Sequence, residues 1–314
     1  MSKCGWYRWF FVLFLALAAG CSRLPSMQPA PVRAKSVAEL QDYLRSHKAD
    51  IDLFRLRGPF AVGERGDVEL RLSPKERVYA DVYLSSAPEK APVVLLVHGY
   101  DSSKEAHANQ AVHMASWGMH VVAVQLPKRG PWGVSNGRIL ARVASLIHRS
   151  PEVVDARVDP NKIVLAGHSF GGNAVAIALG EGAPALGGIL LDPAAVGRDT
   201  PKILQQITRP VMVLGADEHI GATRNREYFY RYVRSGIGEV SIKDATHEDG
   251  QYPSQYALQH YGSDPYTSEE AQLSFAAAMT ASAMSLATTG GFDSAWTSFD
   301  PEIKSGKFFN AKRK

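Results

Sequence analysis

A serine in a glycine-rich turn is the residue of this sequence best suited to covalent chemistry. Residues 162–180 read KIVLAGHSFGGNAVAIALG, in which an apolar run enters a G-x-S-x-G motif centred on Ser169 and an alanine-rich stretch follows. This order predicts a strand, a tight turn and a helix, a geometry that exposes the serine Oγ. The N–H groups at the start of the helix would face negative charge that develops beside that oxygen. Ser169 is therefore the candidate nucleophile.

A histidine that follows the last predicted strand is the candidate general base. His247 lies in the sequence DATHED, shortly after the run 239–242. A general base must reach the serine hydroxyl, so it belongs in a loop at the same end of the sheet. In this chemistry it also comes last in the chain order serine, acid, histidine. His219 lies earlier, beside the previous strand, and His260 lies off any strand end.

Three carboxylates compete for the role of the acid that orients the histidine. Asp192 ends the strand ILLD and is followed by Pro193, which fixes the turn, whereas Asp217 and Glu218 follow the next strand in GADEH. An acid after the later strand is the commoner arrangement, which favours Glu218. The position of Asp192 tight against a buried strand end favours that residue instead. Asp192 is the preferred acid and Glu218 the alternative, and geometry must separate them.

Two backbone N–H groups are the expected oxyanion donors. In a serine hydrolase one donor is the N–H after the nucleophile, here Phe170, and the second comes from the loop after an earlier strand. That loop reads His98-Gly99-Tyr100, so Tyr100 is the expected second donor. The histidines show no metal-type spacing such as H-x-x-x-H beside a carboxylate, and the glycines form no phosphate-binding loop. No metal and no cofactor are therefore expected.

The elements that must position these residues alternate between strands and helices. Two segments that nearly alternate in hydropathy predict an antiparallel pair over 68–72 and 78–84. Continuous apolar strands are predicted over 93–97, 120–125, 162–166, 188–191, 211–214 and 239–242. Helices are predicted over 103–117, 137–149, 170–179, 225–233 and 268–287. Buried strands that alternate with helices predict a mostly parallel, doubly wound α/β sheet with helices on both faces, which binds ligands at the carboxyl ends of its strands.

The connections between these elements leave little room for a large lid. Only 196–209 separates two of the predicted strands, and the segment 128–140 is also short. An open or shallow site is therefore expected. Trp132, in the sequence KRGPWG, is a candidate wall for an apolar acyl group, although a packed surface tryptophan fits it equally well.

The beginning of the chain predicts a secretory signal. Lys3 and Arg8 precede twelve uncharged residues, Trp9–Gly20, which are too few to cross a bilayer. The ending LAAGC resembles a bacterial lipobox, which implies cleavage before Cys21 and lipidation of that cysteine. Such lipidation implies anchoring to the cell envelope, and Ser22 after the cysteine usually goes with the outer membrane, facing the periplasm. A plain cleaved signal and an uncleaved anchor are the alternatives.

These features divide the chain into a signal peptide over 1–20, a lipidated tether over 21–35 and a single domain over 36–314. Ser36 and Glu39 predict a capping box at the start of the first helix of that domain. The basic end, 311–314, is expected to be a solvated tail.

Charge and cysteine usage restrict the partners of the mature chain. Loss of the signal removes two of 35 basic residues and none of 31 acidic ones, so the net charge falls from +4 to +2. That balance does not suggest a nucleic-acid partner. Cys4 leaves with the signal and Cys21 carries lipid, so no thiol remains for a disulfide or a zinc site. The sequence leaves the oligomeric state open.

Several stretches together resemble the α/β-hydrolase superfamily. The segment HGYDSSKEAHANQAVHMASWGMHVVAV is similar to the oxyanion loop, helix and strand of cutinase-like polyesterases, and VDPNKIVLAGHSFGGNAVAIAL is similar to their serine turn. LLDPA and THEDGQYPS resemble segments of chlorophyllase-like and platelet-activating-factor-acetylhydrolase-like esterases, which supports Asp192. The resemblance covers about 93–256 and implies an α/β-hydrolase fold that hydrolyses small-molecule or lipid carboxylic esters. A cutinase-type aspartate would stand at position 219, where this chain has His219.

Overall fold

A computed structural model describes residues 28–127, 133–223, 226–252 and 267–314. The expected signal peptide, Cys21, Trp132 and His260 lie outside the described residues. The described residues contain every side chain proposed above for catalysis.

A nine-stranded sheet forms the centre of the fold, in the order β1-β2-β4-β3-β5-β6-β7-β8-β9. Neighbouring strands from β4 to β8 pair in parallel, whereas β1 and β2 at one edge and β9 at the other pair antiparallel. The strands are β1 Val62–Ser73, β2 Glu76–Ser85, β3 Ala91–Val97, β4 His120–Val124, β5 Val158–His168, β6 Gly187–Leu191, β7 Val211–Gly215, β8 Ile237–Ile242 and β9 Phe308–Arg313. The expected mostly parallel α/β sheet is therefore confirmed.

Hydrophobic patterning explains which strands lie in the middle. Every residue of β3, β4, β6, β7 and β8 is buried, as expected for strands covered on both faces. Alternate residues of β3 enter opposite cores: Val94 and Leu96 belong to one, and Val93 and Leu95 to the other. The antiparallel strands β1 and β2 are longer than predicted, because exposed polar residues extend the apolar stretches that predicted them.

Helices cover the sheet on both faces. The described helices are α1 Val37–Ser46, α2 Ile51–Phe54, α3 Ala108–Ser116, α4 Val134–Arg149, α5 Phe170–Gly180, α6 Thr200–Leu204, α7 Glu227–Tyr232, α8 Glu269–Thr289, α9 Asp293–Ser298 and α10 Asp300–Ser305. Buried side chains of α1, α2, α3 and α8 join one core, and those of α4 to α7 join the other. Among the described helices, none combines the length and apolar character required to cross a membrane.

The two ends of the domain differ from the expectations. Residues 311–314 are exposed, as expected, but they do not form a free tail, because β9 pairs antiparallel with β8 and Lys312 lies opposite Glu239. At the other end, Ala30 N–H donates to Arg57 O (2.8 Å), so the last part of the expected tether lies against the domain. The α1 cap is only half of a capping box: Ser36 Oγ accepts from Glu39 N–H (3.1 Å), but the Glu39 carboxylate accepts from Lys35 N–H (2.8 Å).

A glycine lets α4 and α5 approach closely. A Cβ atom at Gly137 of α4 would lie 2.3 Å from Cγ2 and 2.5 Å from Cβ of Ile177 on α5. The Ile177 Cβ is anchored to its own helix, so relief of this contact requires the two helices to separate.

We therefore expect Gly137→Ala to destabilise the protein. Alanine gains up to about 1 kcal/mol of helix propensity over glycine, but overpacking costs about 1–3 kcal/mol. Each kcal/mol of net loss would lower the melting temperature by about 2–4 °C in calorimetry. The control is Gly63→Ala on β1, where a Cβ meets nothing within 4 Å. A Gly137→Ala protein as stable as the Gly63→Ala protein would contradict this account of the helix contact.

Candidate active site

The strand register brings the candidate residues to one edge of the sheet. Val97 pairs with Gly167, His168 with Leu191, and Leu191 in turn with Leu214 of β7. The loops that follow these parallel strands therefore begin side by side. Ser169, Asp192 and the oxyanion loop all lie at this edge, as an α/β sheet requires of a ligand site.

Ser169 occupies a strained turn between β5 and α5. Its backbone has φ 55° and ψ −122°, a conformation that non-glycine residues rarely adopt. Its N–H donates to Leu191 O (3.0 Å), which fixes the turn to the end of β6. The motif glycines are needed for close approach: a Cβ at Gly167 would lie 2.6 Å from Gly171 O, and one at Gly171 would lie 2.4 Å from His98 O. The sequence thus forces the geometry that G-x-S-x-G predicts.

Asp192 and His247 form a direct hydrogen bond. His247 Nδ1 lies 2.5 Å from Asp192 Oδ2, and the Asp192 side chain is completely buried. The carboxylate also accepts the backbone N–H of Ala216 on Oδ1 (3.1 Å) and that of Thr223 on Oδ2 (3.0 Å). A buried carboxylate needs such donors, because an unpaired charge in the interior is costly.

The pKa values of both groups follow from this contact. Burial would raise the pKa of Asp192, but the hydrogen bond and charge of His247, with the two backbone N–H groups, lower it below its ordinary value. Burial would lower the pKa of His247, yet Asp192 raises it above its ordinary value. Because Nδ1–H donates to the carboxylate, Nε2 of the neutral ring is left as the basic atom.

The other two candidate acids make different contacts. Glu218 is half-exposed and accepts from Asn310 Nδ2 (2.8 Å). Asp217 is buried and accepts the backbone N–H groups of His219 and Asp244, both at 3.0 Å, which joins the loops after β7 and β8. Of the three candidate acids, Asp192, Asp217 and Glu218, Asp192 alone contacts the His247 imidazole in the described part of the chain.

A capped turn holds the loop that carries His247. The residue begins a short 3₁₀ helix, His247–Gly250, whose N-cap Thr246 donates its N–H to Asp249 Oδ2 (2.7 Å). Asp249 is fully buried and also accepts the N–H of Ser268 (2.8 Å), just before α8. The position of His247 is therefore tied to the core through α8.

The residue before the serine connects it to this loop. His168 Nε2 donates to His247 O (2.8 Å), and the two imidazole rings lie 4.4 Å apart between centroids. In the described part of the chain, no hydrogen bond joins the Ser169 hydroxyl to the His247 ring itself. Catalytic contacts are often long without substrate and shorten when it binds.

The loop of the expected oxyanion donor lies against Ser169. A Cβ at Gly99 would be 3.0 Å from Ser169 Cβ, so glycine permits this close approach without displacing Ser169. His98 is buried and holds the loop: its Nδ1 donates to Gly99 O (2.7 Å) and its Nε2 accepts from Leu126 N–H (3.1 Å). The Tyr100 ring is half-exposed and meets the Phe170 ring edge to face, 5.9 Å between centroids.

A comparison with known protein families agrees with this arrangement. The family model described as alpha/beta hydrolase family matches residues 94–297, more than half of the chain. The chain belongs to the α/β hydrolase family. The match includes every candidate catalytic residue in this hydrolase. A comparison with curated proteins finds no match.

Two residues of this α/β hydrolase site were not predicted from the sequence. His168 is buried, and burial holds its pKa well below the ordinary value, so it is a neutral donor to His247. The sequence signal that could have identified His168 is its place directly before Ser169. Arg226 lies behind Asp192 and donates from Nη1 to Asp192 Oδ1 (3.3 Å), and no local motif marks it. Among the described residues, no group of three or more histidine, cysteine or acidic side chains is arranged to hold a metal ion.

We expect Asp192→Asn to lower the pKa of the His247 imidazole. The substitution removes the charge that raises this pKa and leaves the burial that lowers it. The imidazole C–H resonances, followed by NMR against pH, measure the change. Glu218→Gln is the control and should leave the His247 titration where it is. A larger shift in Glu218→Gln than in Asp192→Asn would transfer the role to Glu218.

Proposed function

We propose that this protein is a serine hydrolase that cleaves carboxylic esters through an acyl-enzyme on Ser169. The observation that carries the proposal is the 2.5 Å contact between His247 and the buried Asp192, at the sheet edge where the strained turn presents Ser169. A hydroxyl is a weak nucleophile alone, and an imidazole oriented by a carboxylate is the group that activates it. Family membership supports hydrolase chemistry in general.

The proposed mechanism has two steps of the same kind. Ser169 Oγ attacks the ester carbonyl while His247 Nε2 takes the hydroxyl proton, and Asp192 stabilises the imidazolium. Collapse of the tetrahedral intermediate breaks the bond to the alcohol, which leaves with the proton from His247. Water then attacks the acyl-enzyme with the same base, which releases the acid and restores the serine.

The expected oxyanion donors fit this mechanism. Phe170 N–H begins α5, where the helix dipole favours negative charge. Tyr100 follows Gly99, on which a Cβ atom would lie 3.0 Å from Ser169 Cβ. Removal of one such donor typically reduces the rate by about 10²–10³.

Exposed apolar side chains near the site support a small-molecule or lipid ester as substrate. Tyr100 is 53% exposed and Ile220 is 54% exposed. Tyr100 contacts Phe170 beside the serine, and Gly221, next to Ile220, lies close to the His247 backbone. An open apolar rim suits an acyl chain or a lipid surface, in keeping with the resemblance to cutinase-like, chlorophyllase-like and platelet-activating-factor-acetylhydrolase-like esterases.

The lipobox supports a location in the bacterial cell envelope, with the domain held by lipid on Cys21. The backbone from Cys21 to Gln28 can span at most about 25 Å. Because Ala30 is already bonded to Arg57, this short tether would hold the domain close to the membrane surface. The domain assignment over 36–314 and the facing toward the periplasm belong to the same proposal.

We expect Ser169→Ala, purified without the signal, to lose hydrolysis of short p-nitrophenyl esters by about 10⁶-fold. It should also lose labelling by a fluorophosphonate, which reacts with activated serines. Ser145→Ala on α4 is the control, because its hydroxyl donates to Ala141 O within its own helix. Wild-type-like turnover by Ser169→Ala would refute the nucleophile. Amide cleavage or acyl transfer without ester hydrolysis would favour a peptidase or acyltransferase, and an unlabelled wild type would favour a non-catalytic envelope protein.

We expect Cys21→Ser to release the full-length protein from the membrane fraction of a bacterial host and to abolish incorporation of labelled palmitate. Stable anchoring requires more than one acyl chain, and all of them would be attached at this residue. Cys4→Ser is the control and should remain lipidated. Palmitate in the Cys21→Ser protein would refute the anchor.

A further inference from the structure

A buried arginine contacts the proposed acid on the side opposite the histidine. Arg226 Nη1 donates to Asp192 Oδ1 (3.3 Å), whereas His247 contacts Oδ2. The guanidinium also donates to Ala216 O (2.5 Å) and to Ser241 Oγ (2.7 Å). Its side chain is 5% exposed, so its charge acts on Asp192 with little screening by solvent.

The charge of Arg226 is balanced by acids from neighbouring elements. Glu239 of β8 is buried, and its Oε1 lies 3.7 Å from Arg226 Nε. Glu218, after β7, lies at 3.8 Å from Nη2. Lys312 of β9 lies 3.4 Å from the other oxygen of Glu239 and is the most exposed cation of this group. Glu227, the first residue of the helix that follows Arg226, is largely exposed.

These contacts form a continuous row of alternating charges. The row runs from the imidazole through Asp192, Arg226 and Glu239 to Lys312, which faces a pocket of about 640 Å³. The groups that face His247 itself are Asp192, Glu248 and the neutral His168. Asp192 already accepts two backbone N–H groups, so the carboxylate does not need Arg226 as a hydrogen-bond donor. The main contribution of Arg226 is therefore its positive charge.

We propose that Arg226 is a positioning residue for the hydrolysis: it holds Asp192 from the side opposite His247, and its charge, balanced by Glu239, sets how tightly the Asp192–His247 pair retains a proton. The effect of Arg226 on the rate of hydrolysis rests on the proposed function. Its effect on the titration of His247 rests only on the contacts described above. Arg226 is a cation beside the pair, so it disfavours the protonated imidazole. Glu239 opposes that effect because it offsets the cation.

Two substitutions should therefore move the titration of His247 in opposite directions. Arg226→Met should raise the His247 pKa by about one unit, the order expected for two charges about 8 Å apart, on either side of one carboxylate, in a medium of effective dielectric constant about 20. The acidic limb of kcat/KM should move to higher pH, with a fall in kcat and little change in KM. Glu239→Gln should move the same limb to lower pH. Arg226→Lys keeps the charge and should shift the limb by less than half as much as Arg226→Met.

The measurements separate this inference from the proposed function. NMR titration of His247 is read without any turnover, so it tests the charge effect even if esters are not substrates. Arg55→Met is the matched control: Arg55 is also mostly buried and pairs with the buried Glu302 (3.2 Å), away from the site. It should lower stability without moving the His247 titration.

Either of two results would overturn the proposed role of Arg226. A folded Arg226→Met protein whose His247 titrates as in the wild type would overturn the inference. If Arg226→Met does not fold, Glu239→Gln decides, and an unmoved or upward-shifted limb in that variant would overturn it as well.

Discussion

The structure depends on one buried carboxylate. Asp192 has no exposed surface, and an unpaired charge there would cost several kcal/mol. Its partners come from the loops after β7 and β8 and include the N–H of Ala216, the N–H of Thr223 and the imidazole of His247. The fold must therefore bring these loops together to stabilise the carboxylate. The same requirement places a histidine in a fixed orientation at the sheet edge.

The parallel sheet makes this convergence possible, and the core holds the local strain that it requires. Ser169 and Asp192 both have positive φ, at 55° and 35°, directly after adjacent strands. Such backbone costs of the order of 1–3 kcal/mol at each residue and persists only where the surroundings fix it. Here the strand ends that lead into both turns are buried, and the Ser169 N–H is bonded to Leu191 O. Rigid strands therefore hold the reactive side chains where relaxed loops would not.

The sequence predicted the parts of the fold that depend on neighbours along the chain. The buried strands and the turn at Ser169 follow from runs of apolar residues and from glycine spacing, and both signals are local. The choice between Asp192 and Glu218 depends on which loop reaches His247, a property of three dimensions. β9 was missed because its basic residues suggest a solvated tail, yet an edge strand needs only backbone pairing and one contact, such as that of Lys312 with Glu239. Arg226 carries no local pattern at all, since its role comes from long-range contacts.

The electrostatics of the site balance two opposing requirements on His247. A general base works best when its pKa lies near the working pH, so it must be neither too weak nor permanently protonated. Burial weakens the imidazole, and Asp192 strengthens it. The neutral His168 packs against the ring without adding charge, because its own burial disfavours protonation. Arg226 then limits how far Asp192 can favour the imidazolium, since one carboxylate is shared between two positive partners. On the proposed function, the strength of His247 as a base therefore depends on these competing contacts rather than on any single residue.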